Sequence, residues 1–426
     1  MKKDLTELLR FIGESPTPYH TVMAAAKRLV KAGFAELDLS ENWQLQPGGR
    51  YFVKVFDSTL LAFALGKGDG PLRIAAAHTD FPCFRLKPQP EIVKEGYGIL
   101  NVEKYGGMML RTWLDRPLGV AGKVALRTAD PFRPKVQLVD FRRPLLTIPS
   151  LAIHMDREVN DEGKLNVQKD MLPLATMGGD DLSAEYFHAW LAEELHVAPS
   201  AILSYELSAY PCEEGTFCGL QEEFISSPRL DNLTSVVSCL AGIKSIDTEK
   251  LQGLRLAAFF DNEEVGSQTK QGAGSAVLMQ VLERIYLAWG KSREKMLCDI
   301  AGGFMLSVDV AHALHPNFAD KCDPSHKPVL GGGVVLKQAA SQSYAGDTEA
   351  VAMVRGLCEA HDIPWQHFVN RSDSRGGSTL GSIASTLVPL RTMDVGVPLL
   401  AMHSARETMH GADQEALVKL LKEVFY

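Results

Sequence analysis

The sequence predicts an α/β fold interrupted by a β-rich insertion. Helical and strand patterns alternate at the start of the chain, and short alternating segments among prolines and glycines follow over about Leu86–Phe217. Long helices and buried strands alternate again from about Arg229. Such alternation is typical of a sheet covered by helices. We therefore expect a discontinuous α/β domain, residues 1–85 and 220–426, and an inserted β-rich domain, residues 86–219.

The first part of the chain begins with two predicted helices. Apolar residues recur with helical spacing over Leu5–Ile12 and Tyr19–Ala32, and Pro16 and Pro18 separate the two. Charged residues interrupt the first helix, so it does not have the uninterrupted apolar stretch of a signal peptide. Apolar runs of strand length follow at Tyr51–Phe56, Leu60–Leu65 and Leu72–His78.

The insertion and the last part of the chain supply the remaining predicted elements. In the insertion we expect strands at Gly122–Arg127 and Lys135–Asp140 and a helix over Asp180–Leu195. Afterwards, helical spacing predicts helices over Asp231–Ile246, Gly274–Gly290 and Ala412–Phe425. Buried strands are expected at Leu254–Phe260, Phe304–Val310, Trp365–Val369 and Pro398–Met402.

Composition excludes several classes of protein. The 426 residues carry a net charge of −8, which argues against a protein that neutralises nucleic-acid phosphates. No run of about 18 apolar residues exists, so we expect no membrane span. The seven cysteines are scattered and odd in number, which favours a reduced, cytoplasmic protein.

Two adjacent glutamates, Glu263 and Glu264, follow the apolar run that ends at Phe260. A carboxylate pair at the end of a buried strand is costly unless a positive charge lies beside it. One carboxylate can bind a metal ion while its neighbour handles the proton of the attacking water. This pair therefore predicts a metal site.

Similar polar residues end other predicted strands. His78 and Asp80 point the same way on a strand, so His78 could bind metal while Asp80 accepts its other ring N–H. The alternative is a polar strand end that faces solvent. Asp231 begins a predicted helix, where aspartate is often only an N-cap, although its two oxygens could also bridge two ions.

Further candidate ligands follow the last strands. Asp309 and His403 each end an apolar run. His312 and His315 lie just beyond Asp309, but single histidines are more often core or surface residues. Oxygen and nitrogen ligands without cysteine suit zinc, manganese or cobalt.

The set of motifs resembles the M18 family of metalloaminopeptidases, the aspartyl aminopeptidase group, over nearly the whole chain. The segments that carry the resemblance are Ala77–Asp80, Arg229–Asn232, Asp261–Ser267, Ser307–Asp309 with His312–Asn317, and Met402–Ser404 with Arg406–Glu407. The resemblance implies a three-layer α/β/α sandwich of the zinc-peptidase type with a mixed central sheet. It also implies that the inserted domain packs subunits together.

The resemblance implies two divalent ions, zinc or else manganese or cobalt, held by five ligands: His78, Asp231, Glu264, Asp309 and His403. By this likeness Asp231 would bridge the ions. His78 and Asp309 would hold one ion, and Glu264 and His403 the other. Asp80 would orient His78, and the general base would be Glu263.

Four further residues, named below, resemble substrate-binding residues of the family. His154 resembles a family histidine that reaches into a neighbouring subunit's active site. Lys337 offers a cation for an acidic side chain, whereas Gly376, Gly377 and Ser378 offer backbone N–H groups. Gly376 replaces a cysteine of relatives, and Ser382 replaces a proline, so the selectivity of the pocket can differ. The plainer alternatives are a turn with a surface lysine and a histidine at an ordinary strand or interface position.

By resemblance, the protein removes N-terminal Asp or Glu from small peptides with a free N-terminus. It would do so as a homo-oligomer, a tetrahedral dodecamer that admits small peptides but excludes folded proteins. Three alternatives stay open. These are a broad or neutral-residue aminopeptidase, a non-catalytic assembly module, and a hydrolase of amide bonds in non-peptide substrates.

Overall fold

The chain, in a computed structural model that describes residues 2–179, 182–374 and 376–426, divides into two compact units. The first unit comprises Met1–Asp80, Gly215–Met402 and Glu407–Tyr426. The second comprises Phe81–Glu214 and the short segment His403–Arg406. The first unit is therefore discontinuous in sequence, and the chain leaves it directly after a candidate site residue.

The first unit begins with the two expected helices, α1 (Lys2–Gly13) and α2 (Pro18–Lys31). Pro18 occupies the first helical position of α2, where its missing N–H costs no hydrogen bond. The four strands that follow are β1 (Ala35–Leu37), β2 (Arg50–Val55), β3 (Thr59–Leu65) and β4 (Gly68–His78). The last three confirm the three apolar runs.

The second unit contains a six-stranded antiparallel sheet, of strand order β8-β7-β10-β5-β6-β9. Its elements are β5 (Cys83–Lys94), β6 (Tyr97–Tyr105), β7 (Leu118–Leu126), β8 (Lys135–Asp140), α3 (Val159–Glu162), α4 (Val167–Asp170), β9 (Leu174–Met177), α5 (Tyr186–Glu194) and β10 (Ile202–Pro211). Helix α5 begins later than expected because Ser183 forms a turn before it, accepting the Glu185 N–H at 3.1 Å. The first two residues of that expected helix, at 180 and 181, lie outside the described residues.

The rest of the first unit alternates helices and strands. The helices are α6 (Leu230–Lys244), α7 (Val277–Ala288), α8 (Arg293–Ala301), α9 (Thr348–Ala360), α10 (Leu380–Leu387) and α11 (Gly411–Phe425). The strands are β11 (Thr216–Cys218), β12 (Phe224–Ser227), β13 (Gln252–Phe260), β14 (Phe304–Val308), β15 (Ala311–His312), β16 (Val334–Lys337), β17 (Trp365–Phe368), β18 (Arg391–Gly396), β19 (Pro398–Leu399) and β20 (Glu407–His410). The strand expected at Pro398–Met402 is shorter, because Ala401 adopts a left-handed conformation with φ 57°.

A nine-stranded mixed sheet forms the centre of the first unit, in the order β1-β2-β3-β13-β4-β14-β18-β16-β17. Strands β13, β4, β14 and β18 are neighbours and run parallel. In their register Phe260 pairs with His78, and Val308 pairs with Val395. The carboxyl ends of four strands therefore meet at one edge, which is where an α/β sheet binds ligands.

Helices pack on the central sheet. Leu72, Ile74 and Ala76 alternate along β4 and join one apolar cluster with side chains of α7, α8 and α10. Helix α6 contacts β4 and β13, and α11 packs against α6. The α/β class with a mixed sheet is confirmed. Among the described residues, no helix is long and apolar enough to span a bilayer.

Candidate metal centre

His78 ends strand β4 and is almost completely buried. Its Nδ1 lies 3.0 Å from the backbone oxygen of Asp80 and 3.4 Å from the Asp80 Oδ1 atom. A carbonyl oxygen can only accept, so Nδ1 carries the proton and donates it to this hydrogen bond. In the neutral imidazole Nε2 then carries the lone pair, and this is the tautomer that binds metal ions.

Three carboxylates converge on the Nε2 atom of His78. It lies 3.4 Å from Asp231 Oδ1, 3.5 Å from Asp309 Oδ1 and 4.0 Å from Glu263 Oε2. Potential ligand atoms of His78, Asp231 and Asp309 lie within 4.8 Å of one another, as do those of His78, Glu263 and Glu264. The first unit thus brings together six predicted site residues, since Asp80 also contacts His78; Glu263 and Glu264 are half-buried, and the others are buried.

A tight turn after β13 positions the two glutamates. Asn262 and Gly266 flank it with left-handed φ angles of 64° and 96°. The Asp80 carboxylate accepts the backbone N–H of Glu263 and that of Glu264, each at 3.1 Å. Asp80 therefore fixes the backbone of this turn as well as contacting His78.

Asp231 enters the cluster at the beginning of α6. Its backbone N–H donates to Glu407 Oε2 at 3.0 Å, and the neighbouring Asn232 side chain donates to the Val308 carbonyl at 2.9 Å. Both contacts tie the amino-terminal end of α6 to the strand ends. The N-cap residue of α6 is Arg229, so tertiary contacts rather than N-capping position Asp231.

Asp309 follows β14 and is held against β18. Its N–H donates to the Val395 carbonyl at 2.8 Å. A Cβ atom on Gly396 would lie 1.8 Å from the Asp309 backbone oxygen. Only glycine at 396 lets the two backbones approach this closely.

The cluster is electrostatically unusual. Burial raises the pKa of Glu263 to about 8, with the carboxylates of Asp309, Asp80 and Asp231 adding to the shift. Burial lowers the pKa of His78, but its carboxylate neighbours, Asp231 first, raise it well above its ordinary value. Groups that share buried negative charge in this way favour a bound cation.

The spacing in the cluster fits a metal ion. A separation of 3.4 or 3.5 Å between His78 Nε2 and a carboxylate oxygen is longer than a good N–H···O hydrogen bond. Two ligands about 2.1 Å from an ion at the tetrahedral angle are about 3.4 Å apart. Imidazole nitrogen with carboxylate oxygens is also a donor set that zinc binds. His78, Asp231 and Asp309 therefore suit a zinc ion.

Lys337 ends strand β16, and its side chain is 2% exposed. Its Nζ atom lies 3.4 Å from Asp309 Oδ2, 3.1 Å from the Val310 carbonyl and 5.3 Å from the centre of the Tyr344 ring. The alternative of a surface lysine in a turn is therefore wrong. The ammonium contacts a candidate metal ligand directly.

The remaining predicted site residues belong to the segment before α10 and to the second unit. Gly376, Gly377 and Ser378 form the segment before α10, with Gly377 and Ser378 exposed. His403 belongs to the second unit, where its Nδ1 lies 2.6 Å from the Gly107 carbonyl. His154 also belongs to the second unit, in an exposed turn between β8 and α3.

Sequence reasoning gave no role to two buried carboxylates near the cluster, Glu407 and Asp394. Glu407 accepts the Asp231 N–H, and Asp394 lies fully buried in β18 beside Lys337. The available signal for Asp394 was a single acid between two apolar residues of β18, Met393 and Val395. Such a residue is costly to bury unless it is paired.

Comparison with known proteins decides the family. A family model for aminopeptidase I zinc metalloproteases (M18) matches residues 11–426. The chain belongs to the M18 aminopeptidase family. A probable M18 family aminopeptidase 2 from Clostridium novyi (strain NT) is 44% identical over 429 residues, covering 99% of this chain and 98% of that one. This M18 protein is therefore a metalloaminopeptidase, a hydrolase.

Solved structures are similar over the whole M18 chain. The cryo-EM structure of the Ape4 and Nbr1 complex matches with a TM-score of 0.94 at 35% identity, covering 100% of this chain and 85% of that chain. The S. cerevisiae mApe1 dodecamer matches with a TM-score of 0.84 at 27% identity, covering 99% and 95%. The resemblance read from the motifs is thus confirmed at the level of the family.

Proposed function

We propose that this M18 enzyme is a dimetal aminopeptidase that removes an N-terminal Asp or Glu from peptides. The observation that supports it most is that His78 Nε2 lies 3.4 Å from Asp231 Oδ1 and 3.5 Å from Asp309 Oδ1, separations that suit ligands of one ion, beside the turn that carries Glu263. We assign His78 and Asp309 to one ion. We assign Glu264 and His403 to the other ion, and Asp231 to both.

The chain's own residues would handle the proton. When bound, the two ions acidify a water molecule and polarise the scissile carbonyl. Glu263 would take the proton from this water as it attacks, and then deliver it to the leaving amine. The Asp80 carboxylate supports this role, because it holds the Glu263 backbone in place. Residues 376–378 would bind the peptide through backbone N–H groups.

The acidic preference rests on the family resemblance and on the ammonium of Lys337. A second candidate is a broad or neutral-residue aminopeptidase with the same metal centre. The observation that favours it is the burial of Lys337 with its charge against Asp309, which leaves less of that charge for a substrate.

The experiment that separates these functions is an aminopeptidase assay on substrates that begin with Asp, Glu, Leu or Lys. It is run with chelator and after adding back zinc, manganese or cobalt. We expect chelator to abolish activity, a metal to restore it, and Asp and Glu substrates to be hydrolysed fastest. Equal rates on Leu substrates would favour the second candidate, and activity unaffected by chelator would contradict the metal mechanism.

We also infer a homo-oligomer, a dodecamer like that of mApe1, in which His154 contributes to a neighbouring copy's site. The residues around it, Leu151, Ile153 and Met155, are 55%, 48% and 74% exposed, as expected of apolar side chains that a second copy covers. A His154→Ala variant and a Glu263→Gln variant should each be inactive. Mixing them after dissociation should restore part of the activity, whereas a mixture without activity would contradict the shared site.

The cellular location stays a prediction. The seven cysteines are thiols, which agrees with a reducing compartment such as the cytoplasm.

A further inference from the structure

Lys337 and Asp394 are neighbours across two strands of the central sheet. Strands β16 and β18 are antiparallel, with Val335 opposite Gly396 and Leu336 opposite Val395. The next residues along are Lys337 and Asp394. Directly opposed residues share a face of the sheet, so their side chains lie side by side. Both are buried, with 2% and 0% exposure.

The Lys337 ammonium contacts one buried carboxylate, that of Asp309, and interacts electrostatically with a second, that of Asp394. Its Nζ lies 3.4 Å from Asp309 Oδ2. Burial lowers the pKa of Lys337, but Asp309 and then Asp394 raise it by more, so both acids interact with this charge. Asp309 in turn faces His78 Nε2 with its other oxygen, at 3.5 Å. The Asp309 carboxylate therefore lies between the Lys337 ammonium and the His78 imidazole.

Asp394 also accepts hydrogen bonds from two segments that precede helices, one at Ala345 and one at Thr379. Its Oδ2 atom accepts the Thr379 hydroxyl at 2.7 Å and the Ala345 N–H. Thr379 is the N-cap residue of α10 and directly follows the segment Gly376–Ser378. Asp394 thus contacts the residue that follows this segment and acts electrostatically on the cation that contacts Asp309.

We propose that Asp394, acting through Lys337, is a positioning residue for Asp309. Asp394 balances the Lys337 charge, so the ammonium does not compete with the metal ion for the Asp309 carboxylate. Without this balance, Lys337 would pair with Asp309 alone and weaken its bond to the ion. The proposal rests on the proposed function only in taking Asp309 as a metal ligand.

The test measures zinc affinity by competition with a chelator in the full-length holoenzyme. Asp394→Asn keeps the size of the side chain and removes its charge. We expect zinc to bind about tenfold more weakly, the order of effect seen when a residue behind a metal ligand is lost. Lys337→Met should bind zinc at least as tightly as the wild type. In the Lys337→Met background, Asp394→Asn should change zinc affinity by less than about twofold, because the ammonium is gone.

The matched control is Asp413→Asn. Asp413 is equally buried and accepts two backbone N–H groups, those of Gly331 and Gly333, but it lies outside this chain of contacts. Its substitution should leave zinc affinity within about twofold of the wild type. Equal losses in the Asp394 and Asp413 variants, wild-type affinity in Asp394→Asn, or a loss that persists without Lys337 would overturn the proposal.

If Asp394→Asn does not fold, Lys337→Met and Thr379→Val decide the question. Thr379→Val removes one donor to Asp394 and keeps its charge. It should raise KM for peptides while zinc affinity stays at the wild-type level. Weaker zinc binding in Lys337→Met would contradict the role of Asp394. A wild-type enzyme that neither binds zinc nor cleaves peptides would instead contradict the proposed function.

Discussion

Two groups of buried acids in the first unit differ in how their charge is compensated. Burial raises the pKa of Glu263 to about 8 and that of Asp413 to about 7. Asp413 accepts two backbone N–H groups, at 2.7 and 2.8 Å, whereas Glu263 faces His78 and other carboxylates. A raised pKa is thus common to both groups, and the surrounding groups distinguish a structural acid from one in a metal centre.

The difference follows from what each kind of partner can supply. Backbone N–H groups are neutral and fixed, and the two at Asp413 offset only part of the cost of burying its charge. Four carboxylates around one imidazole carry an excess of negative charge that only cations can balance. Removing an acid from the first kind of site should therefore change stability. Removing one from the second should change metal content or catalysis.

The largest effect is expected from Glu263→Gln. The substitution keeps the shape of the side chain but removes the proposed base, so kcat should fall by about 10² to 10⁴ while metal stays bound. Turnover and metal content per chain measure the two effects. The surface variant Glu249→Gln is the control, and near-normal turnover of a metal-loaded Glu263→Gln enzyme would contradict the assignment.

Asp231→Ala should lose metal. The proposed bridging carboxylate disappears, so elemental analysis after dialysis should find clearly less zinc per chain than in the wild type. Asp69→Ala, at an exposed acid that pairs with Lys291, should keep the wild-type zinc content. Full metal content in Asp231→Ala would argue against a bridging role.

Gly396→Ala tests whether the protein depends on the close approach of the backbones at Gly396 and Asp309. The new Cβ would clash with the Asp309 backbone oxygen, so we expect a loss of about 3 kcal/mol in the free energy of unfolding. Gly356→Ala is the matched control, because nothing lies within 4 Å of its Cβ position in helix α9. This control should stabilise the protein by about 0.5 to 1 kcal/mol. Urea unfolding measures both, and equal effects would contradict the argument.

Asp413→Asn should change how stability depends on pH. An acid with a pKa near 7 in the folded chain and near 4 in the unfolded chain favours folding at low pH. This contribution is lost as pH rises through about 4 to 7. The stability of the wild type relative to Asp413→Asn should therefore fall by about 2 kcal/mol between pH 5 and pH 7. Urea unfolding at both pH values measures it, and a constant difference would contradict the raised pKa.

Much of the fold follows from local patterns in the sequence. The apolar runs of β3, β4 and β13 and the helical spacing of α2, α6 and α11 are visible because one face of each element must be buried. The order of strands is not visible in this way, since β13 lies between β3 and β4 although it comes much later in the chain. Strand β16 was not predicted, because its four residues follow three glycines and are too few to show a periodic pattern of apolar residues.

The candidate site was predictable where polar residues end apolar runs. His78, Glu263 and Asp309 follow that rule, since parallel strands bring their carboxyl ends to one edge. The burial of Lys337 and the role of Asp394 were not predictable. Their partners, Asp309 and Thr379, belong to other elements of the chain. Lys337 and Asp394 become neighbours only because strand β16 pairs with β18.

The pairing of β4 with β13 has a consequence for biosynthesis. A ribosome releases β4 and then all six strands of the antiparallel sheet before β13 emerges to pair with β4. Until then, the edges of β3 and β4 that pair with β13 have no partner strand, and the nascent chain is exposed to aggregation. Translation speed and chaperone supply should therefore limit the yield of this enzyme more than they limit a protein whose neighbouring strands are consecutive.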